Sequence, residues 1–118
     1  MAQVTALGGV FLRARDAKAL YGWYEQHLGL AKSDGAYRFP MPAAPAPVIL
    51  ALFKPEDGYF PASQPAMLNL QVDDLDGLLD RLAAAGVAVD PKRESYEFGK
   101  FGWITDPEGN RVELWQPL

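Results

Sequence analysis

The chain has 118 residues, of which 49% are hydrophobic and 22% charged, and a net charge of −4. This length and balance fit one globular domain and exclude a disordered, collagen-like or coiled-coil chain. The absence of cysteine excludes disulfides, thiolate metal sites and cysteine nucleophiles, and a single histidine excludes a site of several imidazoles.

Charge and hydropathy also bear on partners and location. The eleven Lys and Arg residues are scattered, whereas a nucleic-acid-binding face needs them clustered. No apolar run approaches the roughly 20 residues of a membrane span, and the first residues lack the basic-then-apolar pattern of a signal peptide. We therefore expect a cytoplasmic protein that binds neither nucleic acid nor membrane.

The chain repeats one arrangement, a strand followed by a helix and further strands. In the first copy, residues 10–16 alternate apolar and other side chains, which predicts a strand. A helix is predicted over residues 17–28, with Asp16 as its N-cap and Gly29 just past its end. Residues 36–39 and 48–53 are the strand candidates that follow, because seven of the ten prolines lie between the two helices and exclude a helix there.

The second copy begins 58 positions later, where residues 68–74 repeat the alternation of residues 10–16. A helix is predicted over residues 75–85, capped by Asp73 or Asp74 and ending at Gly86. Three strands follow, over residues 93–98, 101–105 and 111–115, and residues 106–110 form a hairpin turn between the last two. We expect one domain over residues 1–118, with copies at about 1–57 and 64–118 joined by a linker at 58–65.

Strand alternation sorts the side chains into two faces. One face is aliphatic and suits packing under two helices, whereas the other mixes aromatic, amide, guanidinium and carboxylate groups. The mixed face is typical of a curved sheet around a small-molecule pocket, although a second core or a dimer contact has the same composition. The predicted pocket residues are Phe11, Arg13, Phe53, Asn69, Gln71, Tyr96, Phe98, Trp103, Glu113 and Trp115.

Glu113 is the candidate with the clearest chemistry, because an unpaired carboxylate between Val112 and Leu114 would be costly to bury. It is either a ligand-binding or general-base carboxylate, or a structural carboxylate whose charge is neutralised by a salt bridge with Arg13 or Arg111. Both hypotheses remain open at the level of sequence.

The other candidates have structural alternatives as well. Asn69 and Gln71 are expected to hydrogen-bond either a ligand or buried polar neighbours, and the aromatic residues either line a pocket or pack. Tyr96 and Phe98 are placed over the mouth of the pocket as a lid. His27 lies near the end of the first helix and is interpreted as structural.

Three motifs in this order resemble the vicinal oxygen chelate superfamily, which includes glyoxalase I, extradiol dioxygenases and bleomycin-resistance proteins. They are WYEQHLGL at residues 23–30, VDDLD at residues 72–76 and FGWITDPEGNRVELW at residues 101–115. The resemblance implies an α+β fold in which two βαβββ modules form an open, cupped, barrel-like sheet with the helices outside.

In metal-dependent members of that superfamily, four strands each supply one ligand to a divalent cation in the cup. Those positions fall here on Gly9, Ala51, Met67 and Glu113. Only the last is a ligand for a hard cation, so no metal site and no cofactor are expected.

The expected function is binding of a small apolar or aromatic molecule in a metal-free cup. The resemblance also implies a homodimer, because a partner chain often completes the cup in that family. The alternatives are a metal-dependent lyase or isomerase of the lactoylglutathione-lyase type, a dioxygenase-type enzyme using Glu113, and an interaction module that self-associates through its concave surface.

Overall fold

The computed structural model describes residues 10–40 and 48–117. In these ranges the chain is α+β, with helices α1 (Ala17–Leu28) and α2 (Leu75–Ala84) and strands β1 (Lys32–Ser33), β2 (Ala36–Tyr37), β3 (Leu68–Gln71), β4 (Ala88–Val89), β5 (Glu94–Tyr96), β6 (Gly99–Thr105) and β7 (Arg111–Pro117). Neither of the two helices found in these ranges is long and apolar enough to cross a bilayer.

The second copy forms one open sheet of five strands, in the order β3-β7-β6-β4, with β5 also paired to β6. β3 runs parallel to β7 and the remaining pairs are antiparallel. The predicted order of strand, helix and three strands is confirmed. The sequence missed β4, a two-residue strand beside β6.

The core lies between α2 and one face of this sheet. Its buried side chains are Leu75, Leu79, Leu82, Ile104, Val112 and Leu114. β6 can approach α2 because position 102 is glycine, and a Cβ there would lie 2.6 Å from Leu79 Cδ1. Since side chains alternate along a strand, the opposite face of β6 and β7 is directed away from α2.

The hairpin turn between β6 and β7 is built around the buried carboxylate of Asp106. It accepts hydrogen bonds from the backbone N–H groups of Glu108 and Asn110, both at 2.9 Å. Gly109 has a φ of 85°, the left-handed conformation that such a turn needs. The predicted turn is confirmed.

Helix α1 has the predicted bounds and caps. The side chain of Asp16 accepts a hydrogen bond from the Ala19 N–H at 3.1 Å, and Gly29 follows the helix with a φ of 71°. Both caps satisfy backbone groups that have no partner inside the helix.

The hairpin turn also holds α1 against the second copy. The buried Tyr24 hydroxyl donates to Asp106 at 3.0 Å. The carboxylate of Glu108 accepts hydrogen bonds from the backbone N–H groups of Arg15 and Asp16, at 2.8 and 2.9 Å. Both contacts join residues more than 80 positions apart.

The remainder of the described first copy differs from the prediction. Residues 10–14 and 48–53 lie outside any strand, because no described strand runs beside them to pair their backbone groups. The strand predicted over residues 36–39 is shortened to β2, which pairs with β1, a strand that the sequence did not indicate. The strand predictions at 10–14 and 48–53 are therefore wrong for this chain alone.

Candidate functional site

The candidate site lies on the sheet face opposite α2, where strand register places three predicted residues side by side. Glu113 on β7 pairs with Asn69 on β3 and with Trp103 on β6. The three side chains project from the same face because paired positions in neighbouring strands share their orientation.

The carboxylate of Glu113 is buried and accepts hydrogen bonds from three neutral groups. Asn69 Nδ2 donates to Oε2 at 2.6 Å, and Trp103 Nε1 donates to Oε1 at 3.2 Å. The Tyr59 hydroxyl also donates to Oε1. Oε2 has one donor in this arrangement and retains acceptor capacity, because a carboxylate oxygen has two lone pairs.

The predicted ion pair between Glu113 and an arginine is wrong for the described residues. Arg111 instead pairs with Asp90 at 2.9 Å, and its guanidinium lies 5.3 Å from the centre of the Trp103 ring. Arg13 is exposed. Glu113 is therefore held by dipolar donors and not by a neighbouring positive charge.

Tyr59 is a residue that sequence analysis missed, because it falls in the linker predicted at residues 58–65. Its ring packs edge-on against Trp103 with centroids 5.8 Å apart, and it also contacts Phe53 at 5.5 Å. Burial, followed by the hydrogen bond to Glu113 and that residue's charge, raises the pKa of Tyr59 above its ordinary value. The hydroxyl thus remains a proton donor throughout the physiological pH range. The pair of aromatic residues Tyr59 and Phe60, inside an otherwise polar and proline-containing segment, was the signal in the sequence.

An aromatic wall continues along the same face. Phe101 and Trp115 stack with their planes 3° apart and their centroids 6.0 Å apart. Tyr96 and Phe98 stack similarly at 5.2 Å and contact Phe101 edge-on. Tyr96 and Phe98 are exposed, and their place over the mouth of a pocket stays a prediction.

Trp115 presents an unusual polar atom within this wall. The residue is only 8% exposed, and its Nε1 has no hydrogen-bond partner among the described residues. Gly99 makes room for it, since a Cβ at that position would lie 2.4 Å from Nε1. The wall is thus closely packed where it meets the sheet and open at Tyr96 and Phe98.

The remaining predicted pocket residues differ in how closely they approach the cluster formed by Glu113, Trp103 and Tyr59. Gln71 pairs in register with Trp115 at the edge of the same sheet. Phe53 joins the cluster through Tyr59, whereas Phe11 is 96% exposed and belongs to no described cluster. His27 packs against Trp23 on α1, outside the site.

The residues present do not fit a divalent cation. Gly9 lies outside the described residues and has no side-chain ligand, and Ala51 has none either. No group of three or more His, Cys, Asp or Glu side chains suited to a metal occurs within residues 10–40 and 48–117. The amide, indole and phenol nearest to Glu113 direct N–H and O–H donors at the carboxylate, and not the lone pairs that a cation requires.

Solved structures of similar fold come from several bacteria. A glyoxalase/bleomycin resistance protein/dioxygenase superfamily member from Sphaerobacter thermophilus is 20% identical, with 96% of this chain and 98% of that chain covered and a TM-score of 0.62. TnmS3, an antibiotic binding protein from a Streptomyces species, is 24% identical over 98% of this chain and 100% of its own, with a TM-score of 0.59. A lactoylglutathione lyase from Agrobacterium tumefaciens is 18% identical over 95% and 96%, with a TM-score of 0.56.

These likenesses establish the fold and not a shared activity. No match is found among curated protein sequences. A model of the Glyoxalase/Bleomycin resistance protein/Dioxygenase superfamily matches residues 6–114, nearly the whole chain. The chain therefore belongs to the Glyoxalase/Bleomycin resistance protein/Dioxygenase superfamily, as its three motifs and its second βαβββ unit indicated.

Proposed function

We propose that the chain binds a small apolar or aromatic molecule on the sheet face opposite α2, with Glu113 as the polar anchor. The observation that carries the proposal is a buried carboxylate with unused acceptor capacity beside a partly exposed wall of stacked aromatic rings. Small-molecule sites combine a mostly apolar lining with a few fixed polar groups in this way.

The donor set favours binding over metal-dependent catalysis. The superfamily contains both an antibiotic binding protein and a lactoylglutathione lyase of similar fold. A lyase of that type needs a cation to polarise its substrate, whereas the partners of Glu113 are neutral hydrogen-bond donors. Elemental analysis of the purified protein should accordingly find no stoichiometric metal. One equivalent of a divalent metal that is lost in Glu113→Ala would instead favour a metal-dependent enzyme.

A second copy of the chain is proposed to complete the cup. The described segments 10–12 and 48–53 expose large apolar side chains, with Phe11 at 96% and Leu52 at 93%. Large apolar side chains exposed in such numbers favour an interaction surface in a globular protein. Light scattering of the unsubstituted protein should report twice the mass of one chain. The double variant Phe11→Asp, Leu52→Asp should have the mass of a single chain. A monomeric unsubstituted protein would contradict the proposal.

The binding proposal is tested with N-phenyl-1-naphthylamine, a neutral probe that fluoresces in apolar sites. We expect saturable binding that weakens several-fold in Phe101→Ala, because an aromatic contact between the probe and the Phe101 ring would contribute about 0.5–1.5 kcal/mol beyond burial. Phe39→Ala is the matched control, since Phe39 is exposed and lies outside the aromatic wall. Absence of saturable binding, or an equal loss in both variants, would count against the site.

Two further expectations stay predictions. Location in the cytoplasm follows from sequence composition and is testable by fractionation. The absence of nucleic-acid binding follows from the scattered basic residues, and a mobility-shift assay with duplex DNA tests it.

A further inference from the structure

Tyr59 occupies the space beside Glu113 although no strand places it there. Its hydroxyl donates to Oε1, and its ring packs nearly perpendicular to that of Trp103, a residue only 1% exposed. The ring thus makes the two contacts that the proposed ligand would need, one with the carboxylate and one with the aromatic surface.

The segment that carries Tyr59 is held mainly by local bonds. Its turns are closed by Asp57 N–H to the Lys54 carbonyl at 3.0 Å and by Tyr59 N–H to the Asp57 carboxylate at 2.9 Å. Residues 54–58 and 61–63 are exposed and lie outside any strand or helix.

The segment is anchored to the sheet only beyond these turns. The Gln64 side chain donates to the Arg111 carbonyl and accepts from its N–H, both at 2.8 Å. This anchor lies five positions after Tyr59, so the ring can leave Glu113 without breaking it.

The other two donors differ from Tyr59 in this respect. Asn69 and Trp103 lie on strands paired in register with β7, so the sheet fixes their backbone beside Glu113. Of the three residues that hydrogen-bond Glu113, Tyr59 alone is carried by a segment outside the sheet.

We infer that Tyr59 is an intramolecular stand-in for the ligand, and that the site takes a neutral phenol whose ring hydroxyl donates to Glu113 Oε1 in its place. The inference rests on the proposed function and specifies its ligand class. An ionised carboxylate can only accept hydrogen bonds, so a ligand at this position must bring a donor. A flat aromatic ring then replaces the Tyr59 ring against Trp103.

The experiment uses isothermal titration calorimetry to compare 2-naphthol with 2-methoxynaphthalene, in which a methyl group replaces the hydroxyl proton and removes the hydrogen-bond donor. The unsubstituted protein should bind 2-naphthol about tenfold more tightly or better, the expected worth of a hydrogen bond to a charged group. Tyr59→Ala should bind 2-naphthol more tightly still, because the competing phenol is gone. Glu113→Gln should reduce the difference in affinity between 2-naphthol and 2-methoxynaphthalene, because the hydroxyl then donates to a neutral amide and not to a carboxylate.

Tyr37→Phe is the control for loss of a tyrosine hydroxyl, since Tyr37 donates to Tyr21 and Glu25 on α1, outside the site. It should bind both probes like the unsubstituted protein. Equal affinity for the two probes, or weaker 2-naphthol binding in Tyr59→Ala, would overturn the inference while leaving the proposed function intact. If neither probe nor N-phenyl-1-naphthylamine binds any variant, the proposed function fails together with the inference.

Discussion

The two copies of the repeated pattern fold differently in the same chain. In the second copy, β3, β6 and β7 are consecutive neighbours in one sheet whose aliphatic face is covered by α2. In the described first copy, α1 forms but residues 10–14 and 48–53 remain unpaired, and their apolar side chains are exposed.

The difference shows what a strand pattern needs beyond alternation. A helix satisfies its backbone hydrogen bonds internally, so α1 forms wherever its caps and apolar face allow. A strand needs a neighbour, and the second copy supplies one through the tight turn at residues 106–110. The equivalent segments of the first copy, residues 10–14 and 48–53, have no strand beside them among the described residues.

The largest effect that tests this contrast is expected from matched leucine substitutions. Leu79→Ala should lower the free energy of unfolding by about 2–5 kcal/mol, because a fully buried side chain leaves a cavity. Leu52→Ala should change it by less than about 0.5 kcal/mol, because that side chain is 93% exposed. Denaturant titration at a concentration where light scattering reports a monomer measures both. Equal losses would mean that the first copy has a core of its own.

A smaller effect is expected at the contact that joins the two copies. Tyr24→Phe removes the donor to the buried Asp106 and should cost about 1–3 kcal/mol. Tyr21→Phe is the control, because its hydroxyl bonds only the Gly35 carbonyl at an exposed position. Similar losses of unfolding free energy in both variants would argue against a stabilising contact between Tyr24 and Asp106.

The same contact predicts a dependence on alkaline pH. Burial, followed by the charge and hydrogen bond of Asp106, raises the pKa of Tyr24 above its ordinary value of 10.0. The stability contributed by neutral Tyr24 is therefore complete below pH 10 and is lost as the pH rises further. Unfolding curves of the unsubstituted protein and Tyr24→Phe should accordingly converge above pH 10.

Most of the second copy could be predicted because its signals are local. Asp74, the alternation of β7 and the Asp106–Asn110 turn each act within a few residues, and alternation alone placed Asn69, Trp103 and Glu113 on one face. Long-range pairing decided the rest. Alternation at residues 10–14 does not reveal whether a partner strand is available, and nothing in a linker indicates that Tyr59 will meet a residue 54 positions away.

The hydrogen-bond partners of Glu113 also could not be predicted from the sequence. Arg111 lies two residues earlier on the same strand and face, yet it pairs with Asp90 across the sheet. Which acid an arginine meets depends on the path of the chain between β4 and β5, and this path has no periodic signal. The aromatic wall was predicted in part: Tyr96, Phe98 and Trp115 were among the predicted pocket residues, whereas Phe101, which stacks on Trp115, was not.

The smallest expected effect concerns Glu108, which anchors the start of α1 on the hairpin turn. Hydrogen bonds from the backbone of Arg15 and Asp16 are the main cause that holds the pKa of Glu108 below its ordinary value of 4.5. A lowered pKa means that the ionised form stabilises the fold at neutral pH and that this contribution is lost as the pH falls below 4.5.

Glu108→Gln should therefore lower the thermal midpoint at pH 7 by less than Tyr24→Phe does, and the difference from the unsubstituted protein should vanish towards pH 3. Glu56→Gln provides the control, because Glu56 is exposed and its segment is remote from α1 in sequence. A difference that persists unchanged at pH 3 would assign Glu108 a packing role. In that case the first copy would be held to the second by Tyr24 and by apolar contacts of α1, without help from this charge.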